Sequence, residues 1–348
     1  MKKLSEQQKK RQIWKAQRPF RISREPCSRL AKALRMIQEA HFQYTIISRK
    51  MIEVEAPEDF NLSRNHDEII NFLKLIRQLC NGDYKWIKID FTTIKHLSPL
   101  SALLLTSEIH RWQLTRGALY VIDEERWDPV VKQLLYEMGF FTLVKTVNPP
   151  LVAARTKSDI SFLQFRSDTQ SLGAEAGELR REMEALTGPV ASKFLLQEGL
   201  TEAMTNVCHW AYNDKVPIKY KRWWMSASYH KEENRMIVMF FDQGVGIPTT
   251  LPRSGIWEHV KKILASNDDI HLIQAAMQYG RTATKKENRG KGLKDIQAFI
   301  LESPRGVLKV LSGFGEYQIN HRGQEKTITH SVRLDGTLIA WEIYREGD

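Results

Sequence analysis

The stretch Phe240-Phe241-Asp242-Gln243-Gly244-Val245-Gly246-Ile247-Pro248 ends an apolar run in a carboxylate and follows it with two closely spaced glycines. Glycine has no Cβ, so Gly244 and Gly246 allow the backbone to approach a ligand closely. A carboxylate at the end of a strand is a good acceptor for an exocyclic amine such as that of adenine. Taken alone, the stretch also fits a tight strand-to-loop turn, so its interpretation depends on its neighbours.

A helix predicted over residues 192–211 carries a polar stripe. Glu198, Glu202 and Asn206 recur every four residues. A step of four residues turns an α-helix by about 400°, so the three side chains share one slowly drifting face. Carboxylates and an amide on such a face can coordinate a hard cation and position a water molecule. A solvated helix face would also explain the stripe on its own.

Two glycine-containing segments follow further along the chain. Arg289-Gly290-Lys291-Gly292-Leu293 opens a predicted helix, and backbone N–H groups at a helix N-terminus form a ready site for phosphate. Asp335-Gly336-Thr337 is predicted to enter the last strand. A flexible loop and a simple hairpin are the alternative interpretations of these two segments.

In their order and spacing, these four segments resemble the nucleotide-binding boxes of the GHKL ATPase superfamily, which includes gyrase, Hsp90, histidine kinases and MutL. The Glu202-to-Asn206 spacing followed by His209 is most similar to the anti-sigma-factor serine kinase branch. The resemblance covers about residues 190–345. It implies an α/β sandwich of the Bergerat type. The chain contains neither a Walker A P-loop nor protein-kinase motifs, as that fold leads one to expect.

The resemblance also implies ATP and Mg²⁺ as cofactors, and it implies roles for individual residues. Asn206 would bind the Mg²⁺ ion, Glu202 would act as the general base, and Asp242 would anchor adenine. Thr337 would support Asp242 through a water molecule. The role of His209 stays open, because other branches have Asp at that position; a structural role is favoured over a catalytic one.

Backbone flexibility and phosphate contact are the remaining implied roles. Gly244 and Gly246 would let the loop close on the base. The phosphate-contacting hinge of the ATP lid would consist of Arg289, Gly290, Lys291 and Gly292.

The N-terminal half alternates predicted helices and strands, among them a helix from Ser28 to Glu39 and strands over Trp86–Asp90 and 118–122. Over residues 51–145 it resembles a STAS (anti-anti-sigma) domain. The segment that carries this resemblance runs from Trp86 through an apolar helix that begins near Ser98. In that family, a kinase phosphorylates a serine at the start of this helix. Here the segment reads Ser98-Pro99-Leu100-Ser101, so the family motif is not kept. We therefore favour an interaction domain that has lost its phosphoswitch over one that is phosphorylated on Ser98 or Ser101.

Charge is concentrated at the start of the chain. The whole chain has 52 Lys and Arg against 41 Asp and Glu, a net charge of +11, and residues 1–35 supply +10 of it. Such an arm fits polyanions: nucleic acid, an acidic protein surface or a membrane surface. A solvated leader helix is the alternative.

Three dispersed cysteines without a CxxC motif exclude a disulfide framework and favour the reducing cytoplasm. Without a run of 18 apolar residues, the sequence predicts no membrane span.

Together these observations predict an α/β protein of 348 residues with four regions. They are a basic arm (1–40), a STAS-like α/β domain (41–150), a connecting segment (151–187) and a GHKL ATP-binding domain (188–348). The predicted activity is Mg²⁺-dependent ATP hydrolysis or serine/threonine phosphorylation of a protein partner. The alternative is an ATP-gated switch or scaffold with little turnover, associated with nucleic acid in defence or repair through residues 1–35. A homo-oligomer is compatible with either.

Overall fold

The computed structural model describes residues 28–48, 51–81, 86–116, 124–144, 159–171, 173–188, 193–254, 257–262, 266, 268–279 and 293–344. It is a mixed α/β structure with several sheets. The strand predicted over 118–122 and most of the basic arm lie outside the described residues. Among the helices in these ranges, none has both the length and the apolar composition that crossing a membrane requires.

Up to residue 144, helices alternate with short strands, as the sequence predicts. The helices are α1 (Ser28–Glu39), α2 (His66–Asn81), α3 (Pro99–Arg116), α4 (Pro129–Glu137) and α5 (Phe140–Leu143). The strands are β1 (Tyr44–Ser48), β2 (Met51–Glu55), β3 (Asp59–Phe60), β4 (Trp86–Asp90) and β5 (His96–Leu97). One sheet has the order β1-β2-β4, with β1 antiparallel and β4 parallel to β2. β3 and β5 form a separate parallel pair.

Helix α3 is the most deeply buried helix of this part. Every residue from 101 to 110 is buried, so this stretch of the helix is covered on all sides. Helices in such positions are normally apolar all round. This one nevertheless buries polar side chains, among them Glu108 and His110. Buried polar groups are stable only when they are hydrogen-bonded, so the partners of these side chains matter for function.

The C-terminal part is built on one five-stranded sheet. Its strands are β6 (Ile160–Asp168), β7 (Trp223–His230), β8 (Arg235–Asp242), β9 (Gly306–Asn320) and β10 (Glu325–Tyr344), and each neighbouring pair in the order β6-β7-β8-β10-β9 is antiparallel. Its helices are α6 (Gly173–Thr187), α7 (Lys193–Asn206), α8 (Ile247–Thr250), α9 (Trp257–Val260), α10 (Asp269–Tyr279) and α11 (Leu293–Leu301).

Two sequence-based boundaries change in the structure. The segment predicted to connect two domains contributes β6 to the edge of the large sheet, and Leu179 of α6 lies in the core on one face of that sheet. Asp335-Gly336-Thr337 does not enter the last strand, because β10 already begins at Glu325. That prediction was wrong because the strand continues through two shifts of register, which interrupt the alternating pattern.

Both faces of the five-stranded sheet are covered. Val238 and Phe240 belong to a core with helices α6, α7, α10 and α11, whereas Met239 and Phe241 belong to a core with α2 and α3. Successive side chains of a strand point to opposite faces, so a strand covered on both sides must be apolar at nearly every position. This explains the continuous apolar run that precedes Asp242.

A pH dependence of stability is expected at His110, which lies where α3 meets the sheet. The Trp224 indole N–H donates to His110 Nδ1 at 3.0 Å, so this nitrogen must be unprotonated. Burial, with a smaller contribution from Arg222, lowers the pKa of His110 to about 4. Because the folded-state pKa lies below the unfolded value of 6.5, the stability is complete above that value and is lost as the pH falls towards 4.

Urea unfolding at pH 7 and at pH 4 measures this effect. A shift from 6.5 to about 4 corresponds to a loss of about 3 kcal/mol in the free energy of unfolding. His110→Gln keeps an acceptor but does not titrate, so this variant should lose correspondingly less between the two pH values. Equal losses in wild type and variant would show that other groups cause the pH dependence.

Candidate active site

Four of the predicted site residues, Asp242, Gly244, Gly246 and Thr337, lie where β8 ends. Asp242 is the last residue of β8 and pairs across the sheet with Thr337 of β10. Its side chain is buried, with 4% of the residue exposed. The structure thus brings together Asp242 and Thr337, which are almost 100 residues apart in the sequence.

The Asp242 carboxyl group is held by two neighbours. The Gly244 N–H donates to Asp242 Oδ1 at 2.8 Å. Hydrogen bonds from the hydroxyl and the backbone N–H of Thr337 also stabilise the charged form of Asp242. Burial raises the pKa of Asp242 to about 7, although these hydrogen bonds act in the opposite direction. A buried carboxyl group with a strongly raised pKa is typical of a functional site.

Two glycines allow the loop after Asp242 to take its path. A Cβ on Gly244 would collide with the backbone carbonyl of Ala211, and the neighbouring Val245 N–H donates to that same carbonyl oxygen at 2.7 Å. Gly246 has a φ of 85°, in the left-handed region that other residues rarely adopt. Both glycines that the sequence singled out are therefore required by the local backbone.

The polar stripe on α7 divides into two parts. Glu202 is buried, with 9% of the residue exposed, and it accepts a hydrogen bond from the Asn206 side chain. Burial raises the pKa of Glu202, and the negative charge of Asp295 raises it further. Glu198, one turn earlier, is exposed. The structure thus supports the pairing of Glu202 with Asn206 and separates Glu198 from them.

Close packing of α11 on α7 brings Asp295 towards Glu202. A Cβ on Gly199 of α7 would lie 3.2 Å from the Asp295 carbonyl oxygen and 3.5 Å from Ile296 Cα. A Cβ so near to backbone atoms is an unusually tight contact, so glycine at this position favours the close approach of the two helices. Asp295 was not predicted as a site residue, because its effect on Glu202 depends on this helix contact.

The end of α7 links the Glu202–Asn206 pair to Asp242. After Asn206 the chain forms a wider π-helical turn, Val207–Ala211. The carbonyl of Ala211 accepts from the loop that follows Asp242. Short π-helical turns occur frequently at functional sites, where they redirect the chain. This turn joins the two halves of the predicted site at one end of the sheet.

Two further residues hold this region and were not predicted. The Tyr212 hydroxyl accepts from the Gln243 N–H at 3.0 Å and donates to the Arg222 carbonyl oxygen at 2.6 Å. Burial raises the pKa of Tyr212, so the hydroxyl stays neutral. Ser312 Oγ accepts from the Ile247 N–H at 2.9 Å and donates to the Gly336 carbonyl oxygen at 2.8 Å. Tyr212 belongs to the segment that carries the resemblance, whereas Ser312 lies outside every motif.

Other predicted residues are not tested by the described geometry. Arg289, Gly290, Lys291 and Gly292 lie outside the described residues, because 280–292 is not described. His209 lies in the π-helical turn with its side chain exposed. The exposure places His209 outside the packed core.

Among the described residues, one His/Asp group lies close enough to suggest a metal centre. His66, Asp67 and His330 each offer a ligand atom within 4.8 Å of the others. The two imidazole rings, however, stack with centroids 3.6 Å apart and planes at 12°. Imidazole lone pairs lie in the ring plane, so parallel stacked rings do not direct both towards one ion. The group joins α2 to β10 and is separate from Glu202 and Asn206 in the sequence and in its contacts.

The chain matches no protein-family model and no curated protein sequence. The interpretation of the site therefore depends on its residues and on their arrangement.

Proposed function

We propose that the chain is an ATP-binding protein of the GHKL type, in which Asp242 accepts a hydrogen bond from the adenine amine. The observation that carries the proposal is the buried Asp242 carboxyl group, whose pKa burial raises to about 7. A desolvated carboxyl group gains more from an incoming N–H donor than an exposed one, because it has little water to exchange. Gly244 and Thr337 hold the carboxylate in place before the base arrives.

The chemistry of α7 fits the magnesium ion and the reacting phosphate. The side-chain oxygen of Asn206, one helical turn after Glu202, is a hard donor of the kind that Mg²⁺ prefers. Bound Mg²⁺ would neutralise phosphate charge. Phosphoryl transfer depends mainly on positioning and charge neutralisation, so few protein groups are needed for chemistry.

Glu202 is the proposed general base. Burial and the nearby Asp295 raise its pKa, which makes the carboxylate a stronger base than an exposed glutamate. Glu202 would accept the proton from a water molecule or from a partner hydroxyl as that oxygen attacks the γ-phosphorus and ADP leaves. The products would be phosphate in the first case and a phosphorylated partner in the second.

For the N-terminal part we propose a STAS-like interaction domain without a phosphoswitch. Ser101 is fully buried, and its Oγ accepts from the Leu62 N–H at 2.8 Å. Its hydroxyl also lies 2.8 Å from the Ser98 hydroxyl. A phosphate on Ser101 would have to break these contacts and open the start of α3. The residues therefore favour binding over phosphorylation at this position.

Melting of the full chain with nucleotide tests the proposal. A ligand at 100 times its dissociation constant stabilises a folded protein by about 2.7 kcal/mol. MgATP should raise the melting temperature, and MgGTP at the same concentration should raise it clearly less. Transfer of a radiolabelled γ-phosphate to water or to a partner then separates hydrolysis from phosphorylation, and labelled ATP that stays intact favours the switch. A melting temperature that adenine nucleotides leave unchanged would contradict ATP binding.

The basic arm supports a second proposal, which is binding to nucleic acid. Residues 1–27 contain nine Lys or Arg and two Glu, a net charge of +7. Ala33 and Ile37 of α1 are buried, so a deletion that spares the fold should stop at residue 27. Five phosphate contacts would give a slope of about −4 to −5 in log K against log salt on duplex DNA. The deletion should reduce this slope to nearly zero, as measured by fluorescence anisotropy, with the melting temperature unchanged. A full chain that binds neither DNA nor RNA at low salt would refute this proposal.

A further inference from the structure

Gln243, the residue after Asp242, joins the proposed nucleotide site to α3. Its side chain is buried, with 5% of the residue exposed. Gln243 Nε2 donates to Glu108 Oε2 at 2.9 Å and to Ser107 Oγ at 3.3 Å. Gln243 Oε1 accepts from Arg111 Nη1 at 3.1 Å. Both polar atoms of the carboxamide are therefore bound to one face of α3.

These contacts fix the orientation of the Gln243 carboxamide. A guanidinium group only donates hydrogen bonds, and a carboxylate only accepts them. If the amide were turned over, its NH₂ group would face Arg111 and its oxygen would face Glu108. Only the observed orientation satisfies all three groups, so α3 determines how Gln243 is held.

The backbone of Gln243 makes a third connection. Its N–H donates to the Tyr212 hydroxyl, and Tyr212 directly follows the π-helical turn that begins after Asn206. Gln243 thus contacts the residue that follows the turn after α7, precedes the loop glycines and is bound to α3. A displacement of α3 would act on all of these through Gln243.

A second route connects Asp242 with helix α2. Arg77 of α2 donates from Nη2 to Glu108 at 2.7 Å and from Nη1 to Asp335 at 3.0 Å. Asp335 lies two residues before Thr337, which donates to Asp242. Glu108 is thus connected with Asp242 in two ways. Gln243 connects it through β8, and Arg77 with Asp335 connects it through β10.

We propose that α3 is a regulatory element of the nucleotide site, because its hydrogen bonds to Gln243 set the position of Asp242. Adenine binding is therefore coupled to the packing of α3 on the sheet. The inference rests on the proposed function, because it takes Asp242 as the adenine anchor. A protein partner that binds the N-terminal part and shifts α3 changes the affinity for nucleotide. By thermodynamic linkage, nucleotide changes the affinity for that partner by the same factor.

The physical basis is the burial of the network. Glu108 is 4% exposed, so its carboxylate depends on Arg77 and Gln243 for stabilisation. Buried polar networks are stable when complete and costly when one member loses its partner. A small shift of α3 therefore replaces one arrangement by another instead of deforming the network gradually.

Two substitutions to methionine test the coupling. Gln243→Met removes the carboxamide, and Arg111→Met removes the donor on α3 while keeping an unbranched side chain. Each should weaken binding of MgADP, measured by titration calorimetry, by about fivefold to tenfold, in the range typical of coupling between sites. MgADP should also slow amide hydrogen exchange in α3 of the wild type, and this protection should be lost in both variants. A purely structural role of Gln243 would not produce the second effect.

Thr115→Ala is the matched control on the same helix. The Thr115 hydroxyl donates to the Arg111 carbonyl oxygen within α3 at 2.6 Å, so the substitution should leave MgADP affinity unchanged. If Gln243→Met fails to fold, the comparison of Arg111→Met with the wild type tests the coupling without it. The coupling is overturned if the wild type binds MgADP and Arg111→Met binds it with the same affinity and shows the same protection of α3. That result would leave the proposed function intact. A wild type that binds no adenine nucleotide overturns both.

Discussion

Glu202→Ala is expected to bind ATP as the wild type does and to lose nearly all turnover. The side chain is proposed to take a proton from the attacking oxygen, and it does not hold the adenine or its anchor. Loss of a general base typically lowers the rate by a factor of about 10² to 10⁴. Phosphate release under saturating MgATP measures the rate, and equilibrium titration of the same variant measures binding.

Glu198→Ala is the control for this substitution. Glu198 lies one turn earlier on α7 and is exposed, so its loss should change neither binding nor turnover. Turnover that survives in Glu202→Ala would contradict the assignment of the base. If Glu198→Ala alone were inactive, the base would have been assigned to the wrong turn of the helix.

Asp242→Ala is expected to reduce the affinity for ATP by about tenfold or more. The substitution leaves the exocyclic amine of adenine without an acceptor in a buried site, at a cost of roughly 1–3 kcal/mol. Asp242→Asn should also bind less tightly, because the amide replaces a carboxylate by a weaker acceptor. Titration calorimetry of both variants with MgADP gives the two affinities.

Stability provides an independent check on Asp242. Burial raises its pKa from 3.8 to about 7, so the folded state binds more protons than the unfolded state between these values. Stability therefore falls as the pH rises through this interval. Asp242→Asn removes the titrating group and should be more stable than the wild type at pH 8, as measured by urea unfolding. A variant that is less stable at pH 8 would show that the carboxylate serves the fold and not a ligand.

The sequence predicts much of the secondary structure because the spacing of apolar residues and the residues that start or end helices are local patterns. The predicted helix from Ser28 to Glu39 and the predicted strand from Trp86 to Asp90 are confirmed with the same bounds. The helix near Ser98 begins at Pro99, at the first helical position that proline favours. These features depend on residues within a few positions of each other, so a single sequence is enough to find them.

The remaining features depend on contacts between distant residues. Nothing local distinguishes Gln243 from a loop glutamine, because its partners on α3 lie more than 130 residues earlier. The same holds for Ser312, which supports the loop after Asp242 from β9, the strand on the far side of β10. The extra residues in β10 around Gly336 also look like a turn in the sequence, although they form a bulge inside one long strand.

Titration of the full-length wild type with MgADP and with MgGDP tests the central claim most directly. At pH 8, above its pKa of about 7, Asp242 is mainly ionised and accepts from the amine of adenine, whereas guanine presents an acceptor oxygen at the corresponding position to a carboxylate that has no proton to donate. We expect MgADP to bind at one site per chain and MgGDP to bind at least tenfold more weakly, with the difference lost in Asp242→Ala. Equal affinity for the two nucleotides, or no binding of either, would contradict the assignment of Asp242 as the adenine anchor.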